Sequence, residues 1–537
     1  MRAVRRSRQF RYEAANAIRS LGPFYKPTWA FLALVAIFVA PIWMTPLPPG
    51  MDTPNHLAIV ETLSRQDAEP EWHSHFEDRR ALGSPYGTYY ALGLSFMPWL
   101  SAAEAHRVIM SAYAILLPLS FAYLVYSFRP RDHWSPLFGF LLIYSDSYFV
   151  GFTNYLLALP LLLFAVALSV RLVRKPAGGY VIALALAGAS VLLFLTHPIS
   201  LGLLPILGGI LGLPRMASPK RLAWLLVAWG PGGFLLLRWM LSQSSPSTGR
   251  ISYLPLDFNL EYLMRTPAII LSGWPLVLEA VLAGVLIGVA WRPWGARFRG
   301  ASQLKIWASP PLIALLGVLG FLLFYLLMPF QVGATIWLNL RIAVLAWVLI
   351  FLVLGDAMVR NLLGKAALVG LCLLQLTTVV DAHRAFGEEL NSLFEVMDSL
   401  EPEGRVLPVT LTGESDVPTP FYKGDPRARF ASRFSYFLHF GSCYHLEKAG
   451  LSPWMTFHAS LPHVPLGIRS PFIQSNFRIS DPFFPEQILT RLPDLAPHFD
   501  YILLRNKQSR ISEGMRQTYP LIRDVGTYEA YSTRRVP

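Results

Sequence analysis

Asp52 stands four residues before His56 in PPGMDTPNHLAIVETLSR, residues 48–65. Pro48 and Pro49 end the apolar segment that precedes them, because neither can donate to a helix ladder. Asp52 or Thr53 can cap a new helix, with Pro54 near its first position. A helix starting there puts Asp52 and His56 on one face, lying along the membrane surface. A carboxylate partly withdrawn from water becomes more basic and can take a proton from a hydroxyl. His56 can orient that carboxylate or contact a phosphate. The plainer alternative makes Asp52 an N-cap and His56 a surface residue.

Other residues sit where a polar group is costly. Arg341 lies at the mouth of an apolar stretch, NLRIAVLAW (339–347), where a guanidinium can fork onto phosphate oxygens or reach toward water as an anchor. His197 closes another apolar block just before Pro198 and either faces a polar cavity or bonds a free carbonyl. Asp146 and Asn154 flank a turn between two apolar blocks, and Asp146 is a candidate second carboxylate or a helix-end polar residue. Tyr86, Tyr89 and Tyr90 suit an interfacial aromatic belt. Glu279 falls inside an apolar block and receives no role. In the tail, Lys423, Arg427, Arg429 and Arg433 form a basic run that reads as a solvated face or a contact for anionic lipid or glycan. His439, His445, His458 and His463 are too scattered for a metal. Cys372 lies in an apolar block and Cys443 in the polar tail, so no disulfide is expected. No Gly-rich phosphate loop of the Walker or dinucleotide type is present.

The elements that carry these residues are hydrophobic. Of 537 residues, 53% are hydrophobic and 15% charged, and the mean hydropathy is +0.42. The apolar residues run in blocks such as Trp29–Trp43, Gly178–Leu195, Pro310–Met328 and Ile342–Gly355, several near the ~20 residues of a membrane-crossing helix. The net charge of +13 does not imply nucleic acid, because the basic residues sit in short clusters between the blocks. Eleven crossings are expected, near 28–46, 105–127, 136–150, 154–171, 178–196, 199–213, 222–241, 268–290, 307–328, 341–355 and 366–380. Basic residues then collect on one side, at the N-terminus and at Arg129, Arg131, Arg171, Arg174, Lys175, Arg215, Lys220, Arg221, Arg292, Arg297, Arg299, Lys305, Arg360 and Lys365. That asymmetry puts the N-terminus, residues 1–27, in the cytoplasm and the loop 47–104 outside. The stretch 86–100 is short and contains Pro98, so it reads as a helix dipping into or lying on the outer leaflet. Residues 28–381 form the transmembrane part. Residues 382–537 are expected to form an extracytoplasmic α/β domain, with strands at 405–411, at 500–506 and in a pair around Gly526.

This layout resembles the GT-C superfamily of membrane glycosyltransferases. The resemblance rests on Asp52 with His56 after the first span, SPYGTYYALGL (84–94), NLRIAVLAW (339–347), GFTNYLLALPLLLFAVAL (151–168) and THPIS (196–200). Many members carry two adjacent acids, or His beside an acid, where this chain has Asp52 followed by Thr53. The resemblance implies a polytopic α-helical membrane protein, placed here in a bacterial inner membrane with the tail periplasmic or extracellular. It also implies transfer of a sugar from a polyprenyl-phosphate donor to a glycan, lipid or protein acceptor, with inversion. Asp52 would be the base, with His56 beside it, and Arg341 and His197 would bind the donor phosphate. Tyr89, Tyr90, Asp146 and Asn154 would line the substrate cavity. No cofactor or nucleic-acid partner is implied, and a divalent metal is left open. The readings from other classes are a transporter or flippase and a non-catalytic scaffold for envelope glycan assembly. No internal repeat supports a transporter.

Overall fold

The structure is a computed structural model that describes residues 28–68, 70–79, 84–174, 179–212, 219–242, 251–268, 274–299, 310–332, 336–411, 417, 436–453, 464–477, 485–505 and 509–534. The basic N-terminus, the run 423–433, His458 and His463 lie outside the described residues.

Helix α1, Trp29–Val39, continues as a 3-10 turn over Ala40–Trp43, where Pro41 is accommodated at the start of the turn. The chain then forms α2 (Thr53–Ala68), a short strand β1 (Phe76–Asp78), α3 (Gly87–Phe96) and α4 (Ala102–Phe128). A capping box of Ser101 and Glu104 fixes the start of α4. A 3-10 segment, Ser135–Leu142, and the single-turn α5, Asp146–Val150, lead into α6 (Thr153–Arg174). Next come α7 (Gly179–Thr196), α8 (Pro198–Gly212), α9 (Pro219–Ser242), α10 (Leu256–Arg265), α11 (Trp274–Arg299), α12 (Pro310–Leu327), α13 (Leu338–Met358) and α14 (Leu362–Asp398). Strands β2 (Ile251–Ser252) and β3 (Gln331–Val332) pair between α9 and α13.

The protein is an integral membrane protein built of apolar helices. Among the described residues, α4, α6, α7, α9, α13 and α14 have the length and composition to cross a bilayer. Shorter apolar stretches lie in α1, α8, α11 and α12. Leu226, Val227, Phe234, Leu237 and Leu241 of α9 are exposed, as befits a helix whose solvent is lipid.

The expected helix over 136–150 is instead a 3-10 segment followed by one turn of α-helix. The two C-termini of α4 and α6 meet, because Arg171 Nε donates to Ser127 Oγ at 2.9 Å and the Arg174 guanidinium donates to the Ser127 carbonyl. The two helices are therefore parallel, and residues 129–152 must return across the same thickness. A 3-10 helix rises about 2.0 Å per residue against about 1.5 Å for an α-helix, so this stretch gains height from few residues. It is buried almost throughout. Among the described residues, Arg171, Arg174, Arg221 and Lys365 lie on the side where α4 and α6 end. Arg221 donates to the carbonyl of Val173, and Lys365 lies 4.9 Å from the Trp134 ring.

The helix after the first span does not lie open on a surface. Residues 53–60 of α2 are buried, covered in part by α15 (Gly441–Lys448) of the tail. Helix α3 has 10 residues, about 15 Å of rise, too short to cross a bilayer. The expected boundary at 381/382 falls inside α14, whose 37 residues run unbroken from the membrane into the tail. The apolar composition ends there, but DAHRAFGEELNSLFEVMD has no proline and keeps an apolar stripe of Ala382, Phe386, Leu390, Leu393 and Val396 buried.

The tail folds against that helix. Strand β4 (Val406–Thr410) pairs in parallel with β6 (Tyr501–Arg505). Antiparallel β8 (Tyr528–Ser532) and β7 (Leu521–Val525) extend the sheet in the order β4-β6-β8-β7. Gly526, at φ +60°, makes the β7–β8 turn. Strand β5 (Leu466–Ile468) instead pairs with β1 of the first loop. Cys372 and Cys443 are both buried free thiols.

A buried ion pair locks sheet to helix. Both Arg505 Nε and Nη2 reach Glu389 Oε1, at 2.7 and 2.6 Å, with side-chain exposures of 2% and 10%. Glu389→Ala strands the Arg505 guanidinium in the interior and is expected to cost about 3–5 kcal/mol. Paired replacement by Glu389→Leu and Arg505→Met is expected to cost less. Thermal unfolding of the three variants in detergent checks this; a double variant no more stable than Glu389→Ala would count against it.

Candidate functional site

The site is built where the chain after α1 crosses the chain before α6. Met51 N donates to Phe149 O at 3.0 Å, and Asp52 N donates to Val150 O at 2.9 Å. Asp52 O then accepts from His56 N at 3.1 Å, so α2 grows from the aspartate. Gly151 permits the crossing. Its φ is +85°, and a Cβ there would lie 2.9 Å from Thr53 N and 3.0 Å from Asp52 N.

The Asp52 carboxylate is removed from water, at 8% side-chain exposure, and Oδ1 lies 3.5 Å from His439 Nε2. Tyr90 and Arg341 also feel its charge. Arg341 is in the first turn of α13, its guanidinium 4.0 Å from the centre of the Phe152 ring. Its electrostatic neighbours are Tyr86, Asp52, Tyr155 and Asp146. Tyr155 donates to the Arg341 carbonyl and tethers α6 to α13. His197 fits between Tyr86 and Tyr155, each ring centre 5.2 Å away, with Nδ1 3.1 Å from Ser200 Oγ.

Asp52, Arg341, His197, Asp146 and Tyr90 are therefore brought into one buried cluster. His56 faces Tyr90, Nδ1 to hydroxyl 2.9 Å, and the imidazole placed against Asp52 is His439. Tyr89 is almost fully buried and turns its hydroxyl to His106 Nδ1 at 2.9 Å. Burial pushes the Tyr90 hydroxyl well above its usual range, with Tyr89 and Asp52 adding to the shift. Tyr90 thus stays neutral. Burial also raises Tyr86, opposed by Arg341.

A second feature is a concentration of unsatisfied polarity. Ser145 Oγ, Ser147 Oγ, Thr153 Oγ1, Asn154 Oδ1 and Arg341 Nε are buried with no hydrogen-bond partner among the described residues. The Asp146 oxygens meet no side-chain donor there; the backbone N–H groups of residues 146 and 147 and the charge of Arg341 act on them. Buried polar atoms are normally paired, so such a cluster has the chemistry of a hydroxyl-rich or anionic ligand site. Two bulky residues beside it hold left-handed backbone, Tyr86 at φ 62° and Trp337 at φ 64°, a strain that collects at functional sites. Among the described residues, no group of three His, Cys, Asp or Glu side chains is arranged to hold a metal.

Sequence reasoning weighs His439 only as a metal ligand and gives Tyr155, Phe152 and Trp337 no individual role. His439 is 387 residues from Asp52 and becomes its neighbour only when the tail docks. Ser442 Oγ to Asn55 Oδ1, 3.2 Å, and His445 Nε2 to Thr62 Oγ1, 3.1 Å, hold that docking.

No family model and no curated protein matches the chain. Among solved structures, the crystal structure of ArnT from Cupriavidus metallidurans bound to undecaprenyl phosphate aligns over 94% of this chain and 97% of its own, at 11% identity and a TM-score of 0.49. The apo state of the same protein aligns over the same shares at 12% identity and a TM-score of 0.43.

Gly151→Ala is expected to lower stability by about 2 kcal/mol, from left-handed backbone strain and the clash with residues 52 and 53. Gly188→Ala is the control, since a Cβ there meets nothing within 4 Å. Thermal unfolding compares them, and equal midpoints would show that the crossing tolerates a side chain. A pH effect is expected at His445. Burial pushes its imidazole from 6.5 to about 4, with Gly450 O opposing and Arg65 adding. The unfolded chain binds this proton first, so the stability from the buried neutral ring is present above 6.5 and fades as pH falls toward 4, by up to about 3 kcal/mol. His445→Gln should flatten the fall in melting temperature between pH 7 and 5; an unchanged slope would refute the assignment.

Proposed function

We propose that the chain is an inverting glycosyltransferase of the GT-C type. It moves a sugar from a polyprenyl-phosphate donor to an acceptor hydroxyl at the outer face of the membrane. The observation that carries this reading is the buried Asp52–Arg341 cluster, edged by unsatisfied hydroxyl and amide groups and set among apolar helices. A lipid-linked donor needs such a site, polar in its centre and reachable from the bilayer.

In this reading Asp52 takes the proton of the acceptor hydroxyl as its oxygen attacks the anomeric carbon. The bond from that carbon to the phosphate oxygen breaks on the opposite side, and polyprenyl phosphate leaves with the electron pair. Arg341 neutralises the charge that develops on the phosphate. His197, held between Tyr86 and Tyr155, borders the donor phosphate. Asp146, Asn154 and the neighbouring hydroxyls of Ser145, Ser147 and Thr153 take the sugar hydroxyls. Tyr90, within electrostatic range of Asp52 and bonded to His56, supports the base, and Tyr89 anchors α3 to α4 through His106. The donor is not a nucleotide sugar.

Eleven crossings complete the reading, one of them the 3-10 segment. The clustered basic residues at the ends of α4, α6 and α13 support a cytoplasmic N-terminus and a periplasmic or extracellular tail in an inner membrane. The acceptor is a glycan, lipid or protein of the cell envelope.

The test uses purified protein in lipid nanodiscs and a panel of radiolabelled undecaprenyl-phosphate monosaccharides, with an envelope extract as acceptor. Asp52→Asn is expected to slow release of undecaprenyl phosphate by about 10²-fold or more while affinity for undecaprenyl phosphate is kept. Arg341→Met is expected to weaken that affinity about tenfold. Full turnover in Asp52→Asn would remove Asp52 as base. Directional lipid movement across vesicles without sugar transfer would make the protein a transporter.

A further inference from the structure

Asp52 lies at the start of α2 in the first loop, but the imidazole against its carboxylate comes from the tail. The segment Tyr436–Phe440 that carries His439 is buried throughout and held from several sides. Phe437 stacks on Phe386 of α14, ring centres 5.0 Å apart and planes 17° from parallel. The Arg505 guanidinium lies 5.2 Å from the Phe437 ring. Tyr436 packs edge-on against Phe149 at 6.0 Å, next to the residues that pair with the Asp52 backbone. His439 O accepts from Ser442 N at 3.0 Å, which joins the histidine to the start of α15.

The docking has a register. His439, Ser442 and His445, three residues apart, meet Asp52, Asn55 and Thr62 of the first loop in that order. Two of these contacts fix α15 along α2, and the third touches the carboxylate. An ionised carboxylate only accepts hydrogen bonds, so the nitrogen facing it, Nε2, must carry the proton. At 3.5 Å the contact is long, as such bonds often are before substrate tightens them.

We propose that His439 is a positioning residue for the base. Its Nε2–H holds Asp52 Oδ1 and so orients the carboxylate toward the acceptor proton, and the competent site exists only when the tail is seated on α2. This rests on the reading of Asp52 as base. The donor site is formed by Arg341, His197 and the 145–154 stretch, outside the tail. Loss of His439 should therefore change turnover and spare donor binding.

The experiment uses the full chain in nanodiscs with the undecaprenyl-phosphate monosaccharide panel. His439→Ala is expected to lower kcat about 10²-fold, as misplacement of a base by about an ångström does, with the donor KM within about twofold of the native value by the same argument. His439→Gln places an amide N–H near the native Nε2 and is expected to recover kcat to within about fivefold of native, whereas His439→Asn, whose amide falls nearer Nδ1, is not. Native kcat in His439→Ala, with Asp52→Asn inactive, overturns the positioning role and leaves the base reading in place. An active Asp52→Asn sinks both. If His439→Ala yields no folded protein, the Gln and Asn variants decide. Gln about tenfold or more faster than Asn supports the N–H contact, and equal rates overturn it.

Discussion

A carboxylate withdrawn from water must be compensated by charge or by donors, and the Asp52 side chain is nearly fully withdrawn. Much of the fold converges to meet that demand. The arginine comes from α13, the imidazole from the tail, and a phenol at electrostatic range from α3. The backbone of the aspartate is pinned by the chain entering α6. These groups span the sequence from residue 52 to residue 439, so no local segment can make the site alone. The same constraint explains the packing beneath it. Phe437 must be rigid to present His439, and it lies between Phe386 and an arginine that is itself neutralised by Glu389.

Strain and unsatisfied polarity gather in the same place. Natural proteins keep few buried polar atoms without partners, yet several occur in the ten residues from Ser145 to Asn154 and on Arg341. Tyr86 and Trp337 hold backbone that bulky side chains avoid. Neither feature helps the fold by itself. Both are consistent with a site arranged before its ligand arrives, so that little reorganisation is left for the binding step.

Parts of this were legible in the sequence for a physical reason. Asp52, Arg341 and His197 each stand at the edge of an apolar block, where a polar group is costly and therefore conspicuous. The strands β4, β6, β7 and β8 were legible from β-branched and aromatic runs around a glycine turn. The return over 136–150 was legible as a crossing, but its 3-10 form over 135–142 was not, because PLFGFLLIY is apolar at every position and has no periodicity to read. The end of α14 was misplaced because composition reports contact with lipid, whereas a helix stops only at a cap or a breaker. His439 was invisible as a partner of Asp52, since no spacing rule links residues that meet only when the tail docks on α2.

The parallel arrangement of α4 and α6 has a consequence for how the chain is made. A membrane insertion machine sorts segments by the free energy of placing an α-helix of about 20 apolar residues in lipid. The stretch between α4 and α6 offers eight residues of 3-10 helix and a single α-turn. In lipid alone its backbone groups would lack partners. Its burial depends on the walls that α4 and α13 provide, and α13 follows some 200 residues later in the chain. The stretch is therefore fully covered only once α13 is in place.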